Sequence, residues 1–399
     1  MTHHVLNSPC LEVTVPVSRR TALRSVAGVA ALAASAAACS GAEEGPADVT
    51  ATPSVGPSAT PAGEVRFGAE WEPQARTFMS WPTSAIWDDQ TAAVQNDIAG
   101  LARAIRGHQP VVMFARPELA EDARRACGGE VEVVPIPVDD LWARDTLPVF
   151  VEQAGKLRGV NFNFSGWGNK QNPHDKDAAA AAALLEKYGI PGVRTWLVAE
   201  GGSFETDGKG TLLVTESSVV NDNRNPGKTR DQIEAELKKV LGVRKVIWFE
   251  GVRGKDITDA HIDCLVRFAS PGVVLLDRAF PGSEPDHWSR SADQAKQVLE
   301  GSTDAQDQPL KVVELFQPDP DKITGRGDAF VSTYLNFYVA NKAVVIPKFG
   351  DPSADGKAAQ IMRDTFPGRE VVQVSIDAIA AGGGGIHCAT HDQPDLPPA

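Results

Sequence analysis

One unit recurs along this chain, and its recurrence limits the fold more than any single motif does. Leu212 to Thr215, Val273 to Leu276 and Ala343 to Ile346 are short apolar runs of the fully buried strand type. Each follows a tight turn, at Asp207–Gly210, Ser270–Gly272 and Ala340–Lys342. Another strand precedes each turn, at Ser203–Thr206, Cys264–Phe268 and Tyr334–Val339, so each pair reads as a hairpin. Phe150 to Phe162 is a looser copy. Helical stretches at Asp175–Tyr188, Thr229–Leu241, Ser291–Glu300 and Asp355–Phe366 separate the hairpins. Single strands at Arg194–Val198, Lys245–Phe249, Leu310–Leu315 and Val371–Val374 lead into the next unit. A period of roughly 50 to 70 residues predicts an α/β fold of blades around an axis rather than one open sheet.

Polar segments fall at the same phase of these units, which would gather them at one end of that axis. They are Trp142-Ala143-Arg144-Asp145-Thr146, Glu200-Gly201-Gly202, His261-Ile262-Asp263 and the run Gly382 to Gly385 that leads to Cys388. Consecutive glycines cost backbone entropy and are kept where side chains would obstruct something. A thiol and an imidazole together suggest covalent catalysis, with Glu200 orienting the histidine. His261 and Asp263 alternate as on a strand, so both face one way. Asp145 and Asp263 exceed what a thiol hydrolase needs, whereas paired carboxylates suit the planar fork of a guanidinium. Plain structural roles stay open: Asp145 pairing with Arg144, Glu200 ending a strand, a surface His261–Asp263 pair, and Cys388 simply buried. His387 and His391 flank Cys388 at spacings a metal could use, but no second histidine or cysteine pair accompanies them, and no metal site is expected. A net charge of −13 over 399 residues disfavours nucleic acid and suits a cationic small molecule.

The N-terminal region reads as a targeting segment. Ser18-Arg19-Arg20-Thr21-Ala22-Leu23-Arg24 resembles a twin-arginine export motif, followed by an apolar stretch from Val26 to Ala38 too short to span a bilayer comfortably. Ala36-Ala37-Ala38-Cys39 resembles a lipobox, with Ala36 in place of the usual leucine, so Cys39 is the candidate for lipidation. Cleavage after Ala38 without a lipid is the competing outcome. Residues 40–64 are rich in Gly, Pro, Ala, Ser and Thr and read as a disordered linker. The expected organisation is residues 1–39 signal, 40–64 linker and 65–399 folded domain, on a protein tethered to the outer face of a membrane or secreted. Five cysteines without regular spacing do not form a disulfide framework.

From Gly68 to Pro394 the chain resembles the agmatine deiminase family, which also contains the Porphyromonas-type peptidylarginine deiminase. The resemblance is carried by Ala69-Glu70-Trp71-Glu72-Pro73, Trp81-Pro82, Trp142 to Thr146, Glu200 to Ser203, Asn221 to Pro226, Thr258 to Asp263, Tyr334 to Tyr338 and Gly382 to Thr390. It implies the pentein fold, an α/β propeller of five modules with pseudo-fivefold symmetry. It makes Cys388 the nucleophile, His261 the acid and base, Glu200 its partner, and Asp145 and Asp263 the guanidinium-binding pair. Asn336 lies where the peptidylarginine enzyme has a site asparagine. The implied reaction is deimination through a covalent thiouronium, with no metal or organic cofactor. Leu147 stands where the family usually has glycine, narrowing that backbone's freedom. Asn161 to Gly168 lacks the arginines that hold a peptide carboxylate. That favours agmatine, converted to N-carbamoylputrescine and ammonia, with Trp87 and Asp88 as candidates for its far amine. The alternatives are a peptidylarginine or arginine deiminase, a thiol amidase, and a non-catalytic guanidine-binding lipoprotein. A homo-oligomer is left open.

Overall fold

Five separate small sheets, each built on a parallel strand pair joined through a helix, form the framework of the computed structural model. It describes residues 63–399 except 324, 325 and 328, so the export motif, Cys39 and nearly all of the expected linker lie outside the described residues. In four sheets the unit is local. Glu205–Thr206 pairs antiparallel with Thr211–Thr215, which pairs parallel with Lys245–Phe249 after the helix Arg230–Leu241. Val266–Ser270, Val273–Arg278 and Lys311–Phe316 repeat this around the helix His287–Glu300. Tyr338–Val339, Ala343–Lys348 and Glu370–Ser375 do so around Pro352–Thr365. Val149–Gln153, Lys156–Asn161 and Gly192–Arg194 form a further copy around Asp175–Lys187, with Val65–Arg66 added at one edge.

The fifth sheet is the one the sequence pattern did not show. Gln74–Ser80 runs parallel to Val111–Phe114 and that strand to Glu132–Val134, but the antiparallel partner comes from the far end of the chain, His391–Pro394. A hairpin search cannot find a partner more than 300 residues away. Elsewhere the expected helices hold within a few residues. The larger differences are at strand ends: Tyr334–Phe337 and His261–Leu265 are turns, only Tyr338–Val339 and Val266–Ser270 are strands, and the strand expected at Arg194–Val198 is Gly192–Arg194, which pairs with Lys156–Asn161. His261 and Asp263 therefore do not alternate on a strand.

The helices earn their places by one apolar stripe each. Along Thr91–Arg106, Val94, Ile98, Leu101, Ala102 and Ile105 are fully buried in a cluster that includes Val344, Ile346 and Ile379. Full burial of each large aliphatic side chain is worth about 2 kcal/mol. Helix Arg230–Leu241 starts at a capping box, Thr229 with Gln232, and stops at Gly242, whose φ of 68° is left-handed.

Between the sheets runs a buried ionic chain. The guanidinium of Arg267 donates to Glu70 and to Glu205, each at 3.1 Å, and lies 4.2 Å from the ring centre of Phe337. Arg144 donates to Glu70 at 2.8 Å and to Asp392 at 2.9 Å. Glu205, Arg267 and Asp392 belong to three different sheets. Removing one member of such a network strands the rest without solvent. Arg267→Met should cost about 3–5 kcal/mol of stability at neutral pH. The loss should shrink at acidic pH, where the orphaned Glu70 and Glu205 can protonate. Urea denaturation at both pH values measures this, and a loss below about 1 kcal/mol at neutral pH would show the network to be incidental.

Candidate active site

The expected polar segments sit in turns at strand ends, where short irregular backbone can aim side chains inward. Asp145 lies in the single helical turn Ala143–Thr146. Its Oδ1 accepts from the Gly202 amide at 3.0 Å and its Oδ2 from the Trp167 indole at 2.9 Å. Trp167 is itself left-handed, at φ 55° and ψ 47°, an uncommon conformation for a bulky residue and one that aims the indole at Asp145. Glu200 is extended and precedes the turn Gly201–Ser203. Asp263 sits within the turn Ile262–Cys264, with His261 just before it.

These turns converge. The Nε2 of His261 is 3.1 Å from Glu200, and its Nδ1 is 3.7 Å from Asp145 Oδ1. The sulfur of Cys388 lies 3.6 Å from Asp263 Oδ2. Asn336 braces the thiol twice: its Oδ1 accepts from the Cys388 amide at 3.2 Å, and its Nδ2 donates to Cys388 Sγ at 3.2 Å. The same Nδ2 lies 3.3 Å from the sulfur of Cys264. Gly202 marks the middle of the group. A Cβ there would stand 2.6 Å from His261 Nδ1, 2.8 Å from Asp145 Oδ1 and 3.1 Å from Asp263 Oδ2. His261 Nδ1 and Asp263 Oδ1 are buried without a hydrogen-bond partner among the described residues. Such groups cost free energy unless something polar meets them.

Charge is set by the surroundings. Burial opposes a charged His261, but Asp145, Glu200 and Asp263 outweigh it and lift its pKa to about 9. Burial would raise Asp263, yet the hydrogen bond and charge of His387, with His261 and Arg267, hold it at about 2. For Asp145 burial prevails over the attraction of His261, so its pKa is raised, with Asp263 and Glu200 adding to the rise. Burial opposes ionised Glu200, but Arg224, donating at 2.8 Å and 3.0 Å, and His261 lower it. The Cys264 hydrogen bond favours a Cys388 thiolate, but burial and the Asp263 and Asp145 carboxylates prevail, leaving Cys388 above the ordinary thiol range. The resting site therefore holds a thiol beside an imidazolium.

The glycine run has an explanation in packing. A side chain at Gly382 would strike the ring of Trp87, at Gly384 that of Trp142, and at Gly385 the amide of Asn336. These glycines thus bring the Cys388 segment against two indoles and its bracing asparagine. Trp87 is buried, with its ring centre 6.2 Å from that of Trp142, and donates to Asp140 at 2.6 Å. Asp88 is exposed. Leu147 is extended, at φ −97° and ψ 164°, a conformation that leucine adopts without strain.

Sequence reasoning did not foresee the supporting contacts. His387 places Nδ1 2.8 Å from Asp263 and Nε2 2.9 Å from Glu70, which ties the site to the ionic chain. His391 instead sets Nε2 2.8 Å from the Pro148 carbonyl and is held neutral by burial, so the two histidines do not share a ligand position. Arg224 joins Glu200 to Asp259, which it reaches at 2.8 Å. An arginine inside an otherwise apolar strand, as Arg267 is, was the signal available in the sequence.

Comparison with known proteins places this geometry. Residues 66–394 match the model of the Porphyromonas-type peptidyl-arginine deiminase family. The chain is 36% identical over 350 residues to the agmatine deiminase of Stutzerimonas stutzeri, covering 82% of this chain and 94% of that one. It is 33% identical over 360 residues to the agmatine deiminase of Medicago truncatula, covering 82% and 96%. The solved structure of the Enterococcus faecalis agmatine deiminase superposes with a TM-score of 0.78 at 31% identity, covering 83% of this chain and 96% of that one. Since the matched span contains every segment that builds the site, this chain belongs to the agmatine deiminase and Porphyromonas-type peptidyl-arginine deiminase family of C–N hydrolases.

Proposed function

We propose that this protein is a hydrolytic deiminase whose preferred substrate is agmatine. The observation that carries the reading is the convergence on Gly202 of two carboxylates, an imidazolium and, beyond Asp263, a thiol. A guanidinium there would donate to Asp145 Oδ1 and to the unpartnered Asp263 Oδ1, with its carbon offered to Cys388. Its positive charge lowers the cost of a Cys388 thiolate. The thiolate adds to the guanidinium carbon, and the His261 imidazolium protonates a terminal nitrogen, which departs as ammonia. His261, now neutral, takes a proton from water, and the resulting hydroxide attacks the S-alkylthiouronium carbon. Collapse restores the thiolate and releases the ureido product, so guanidinium and water become urea derivative and ammonium.

Agmatine is preferred because the Stutzerimonas stutzeri and Medicago truncatula relatives are agmatine deiminases, and Asn161 to Gly168 carries no arginine for a carboxylate. Trp87 and Asp88 remain the candidates for the far amine, the former beside Trp142 and the latter exposed. Five equivalent units, the fifth completed by the C-terminal strand, support a five-module propeller of the pentein type. The twin-arginine and lipobox motifs support an exported, lipid-anchored protein with residues 1–39 as signal and 40–64 as tether.

Purified protein given agmatine, arginine and peptidylarginine should release ammonia from agmatine at least tenfold faster than from the others. Cys388→Ala should lower that turnover by about a thousandfold or more while agmatine still binds. Ammonia release by Cys388→Ala at wild-type rate would remove the thiol from the reaction. Gly202→Ala, which sets a methyl among the three polar groups, should lose agmatine binding while keeping its melting temperature within a few degrees.

The pH dependence follows from the resting charges. Below pH 9 the thiol–imidazolium pair holds one proton more than the thiolate–imidazolium pair that attacks. The kcat/KM should therefore climb about tenfold per pH unit towards a limb near 9, whereas kcat, measured with the cation bound, should level off at lower pH. Glu200→Gln removes a carboxylate that raises His261 and should move the kcat/KM limb down. An unmoved limb would detach Glu200 from the histidine.

A further inference from the structure

Cys264 makes and breaks no bond in the chemistry above; it only hydrogen-bonds Cys388, yet it shares the centre of the site. Its sulfur, that of Cys388 and an oxygen of Asp263 all lie within 4.8 Å of one another. Asn336 Nδ2 is 3.3 Å from one sulfur and 3.2 Å from the other, so one amide offers an N–H to each. The Asn336 Oδ1 bond to the Cys388 amide fixes which end of the side chain faces the thiols. Asp263 keeps Oδ2 on His387 and leaves Oδ1 without a partner among the described residues.

From this geometry we propose that Cys264, Cys388 and Asp263 form an inhibitory site for a thiophilic divalent cation of the Zn2+ class. Four-coordinate zinc, with bonds of about 2.3 Å to sulfur and about 2.0 Å to oxygen, sets its ligand atoms about 3.5–3.8 Å apart. The Cys388–Asp263 edge already measures 3.6 Å at Oδ2, the oxygen that also meets His387. The remaining edges are no longer than 4.8 Å, so each closes by about 1 Å or less on binding. Two soft sulfurs and one carboxylate favour zinc over magnesium or calcium, which take oxygen ligands. N–H donors on the sulfurs stabilise the thiolates whether they are free or bound to metal. On binding, each thiol gives its proton to solvent and forms a sulfur–zinc bond. Three protein ligands and one water complete the ion, and no electrons are transferred. The ion occupies the lone pair that Cys388 would use on substrate and sits where the guanidinium would meet Asp263, so it competes with substrate. The inhibition rests on the deiminase reading; the binding does not.

Full-length protein, freed of metal with a chelator, is titrated with ZnCl2 for affinity and activity, and with CdCl2 for the thiolate-to-metal charge-transfer band. One equivalent should bind, the band should report two sulfurs, and agmatine turnover should fall at least tenfold and return with EDTA. Affinity should rise by up to about a hundredfold per pH unit while both thiols are protonated. Cys264→Ser should keep the wild-type circular dichroism and melting temperature, which shows that it folds, and should weaken zinc binding, and zinc inhibition measured against its own metal-free rate, at least tenfold. Cys264→Ala serves as the second variant. Wild-type zinc sensitivity in both variants, or no cadmium–thiolate band, would overturn the proposal. A protein that shows the band but deiminates nothing would overturn the proposed function and leave the cation site standing.

Discussion

Keeping acids ionised out of water is the constraint on which this structure rests. Glu70, Asp145, Glu200, Glu205 and Asp263 are all buried, and an isolated carboxylate in that setting would protonate or pull the fold apart. Arg267, Arg144 and His387 meet Glu70, Glu205 and Asp263 in one chain of bonds between 2.8 and 3.1 Å, and Arg224 meets Glu200 separately at 2.8 Å. The chain links strands of three sheets, so the device that holds the units together also fixes the charge of the site.

That arrangement shifts two acids in opposite directions. Asp263, backed by His387, stays ionised down to a pKa of about 2, while Asp145, with only an indole, an amide and His261 for company, is raised. His261 is held cationic between Asp145 and Glu200. Cys388 is held as a thiol by burial and by the Asp263 and Asp145 carboxylates. The site is thus short of positive charge next to its sulfur. In the proposed reaction a bound guanidinium would supply it, making recognition and activation of the nucleophile one event.

Much of this was legible in the sequence where the signal was local. Hairpins such as Glu205–Thr215 and helices such as Arg230–Leu241 carry their turns and caps within a few residues. The convergence of Asp145, Glu200, His261, Asp263 and Cys388 could be read from their common phase in the repeated unit. The fifth sheet could not, because His391–Pro394 finds Gln74–Ser80 from the opposite end of the chain. Nor could the turn at His261–Leu265, since an alternating His-Ile-Asp looks like a strand until the left-handed Asp259 and Ala260 before it are seen. His387 was weighed as a metal ligand and proved to be the bridge between Asp263 and Glu70. Its role depends on partners at remote positions, which composition and spacing do not reveal.

The central claim is that the sulfur of Cys388 bonds to the guanidine carbon during turnover. Acid quenching of the protein during agmatine turnover, followed by proteolysis and mass spectrometry, tests it directly. The account predicts an adduct of agmatine less ammonia on the peptide that carries Cys388, and none on the peptide that carries Cys264. Ammonia production with no adduct on Cys388, or with the adduct on Cys264, would contradict it.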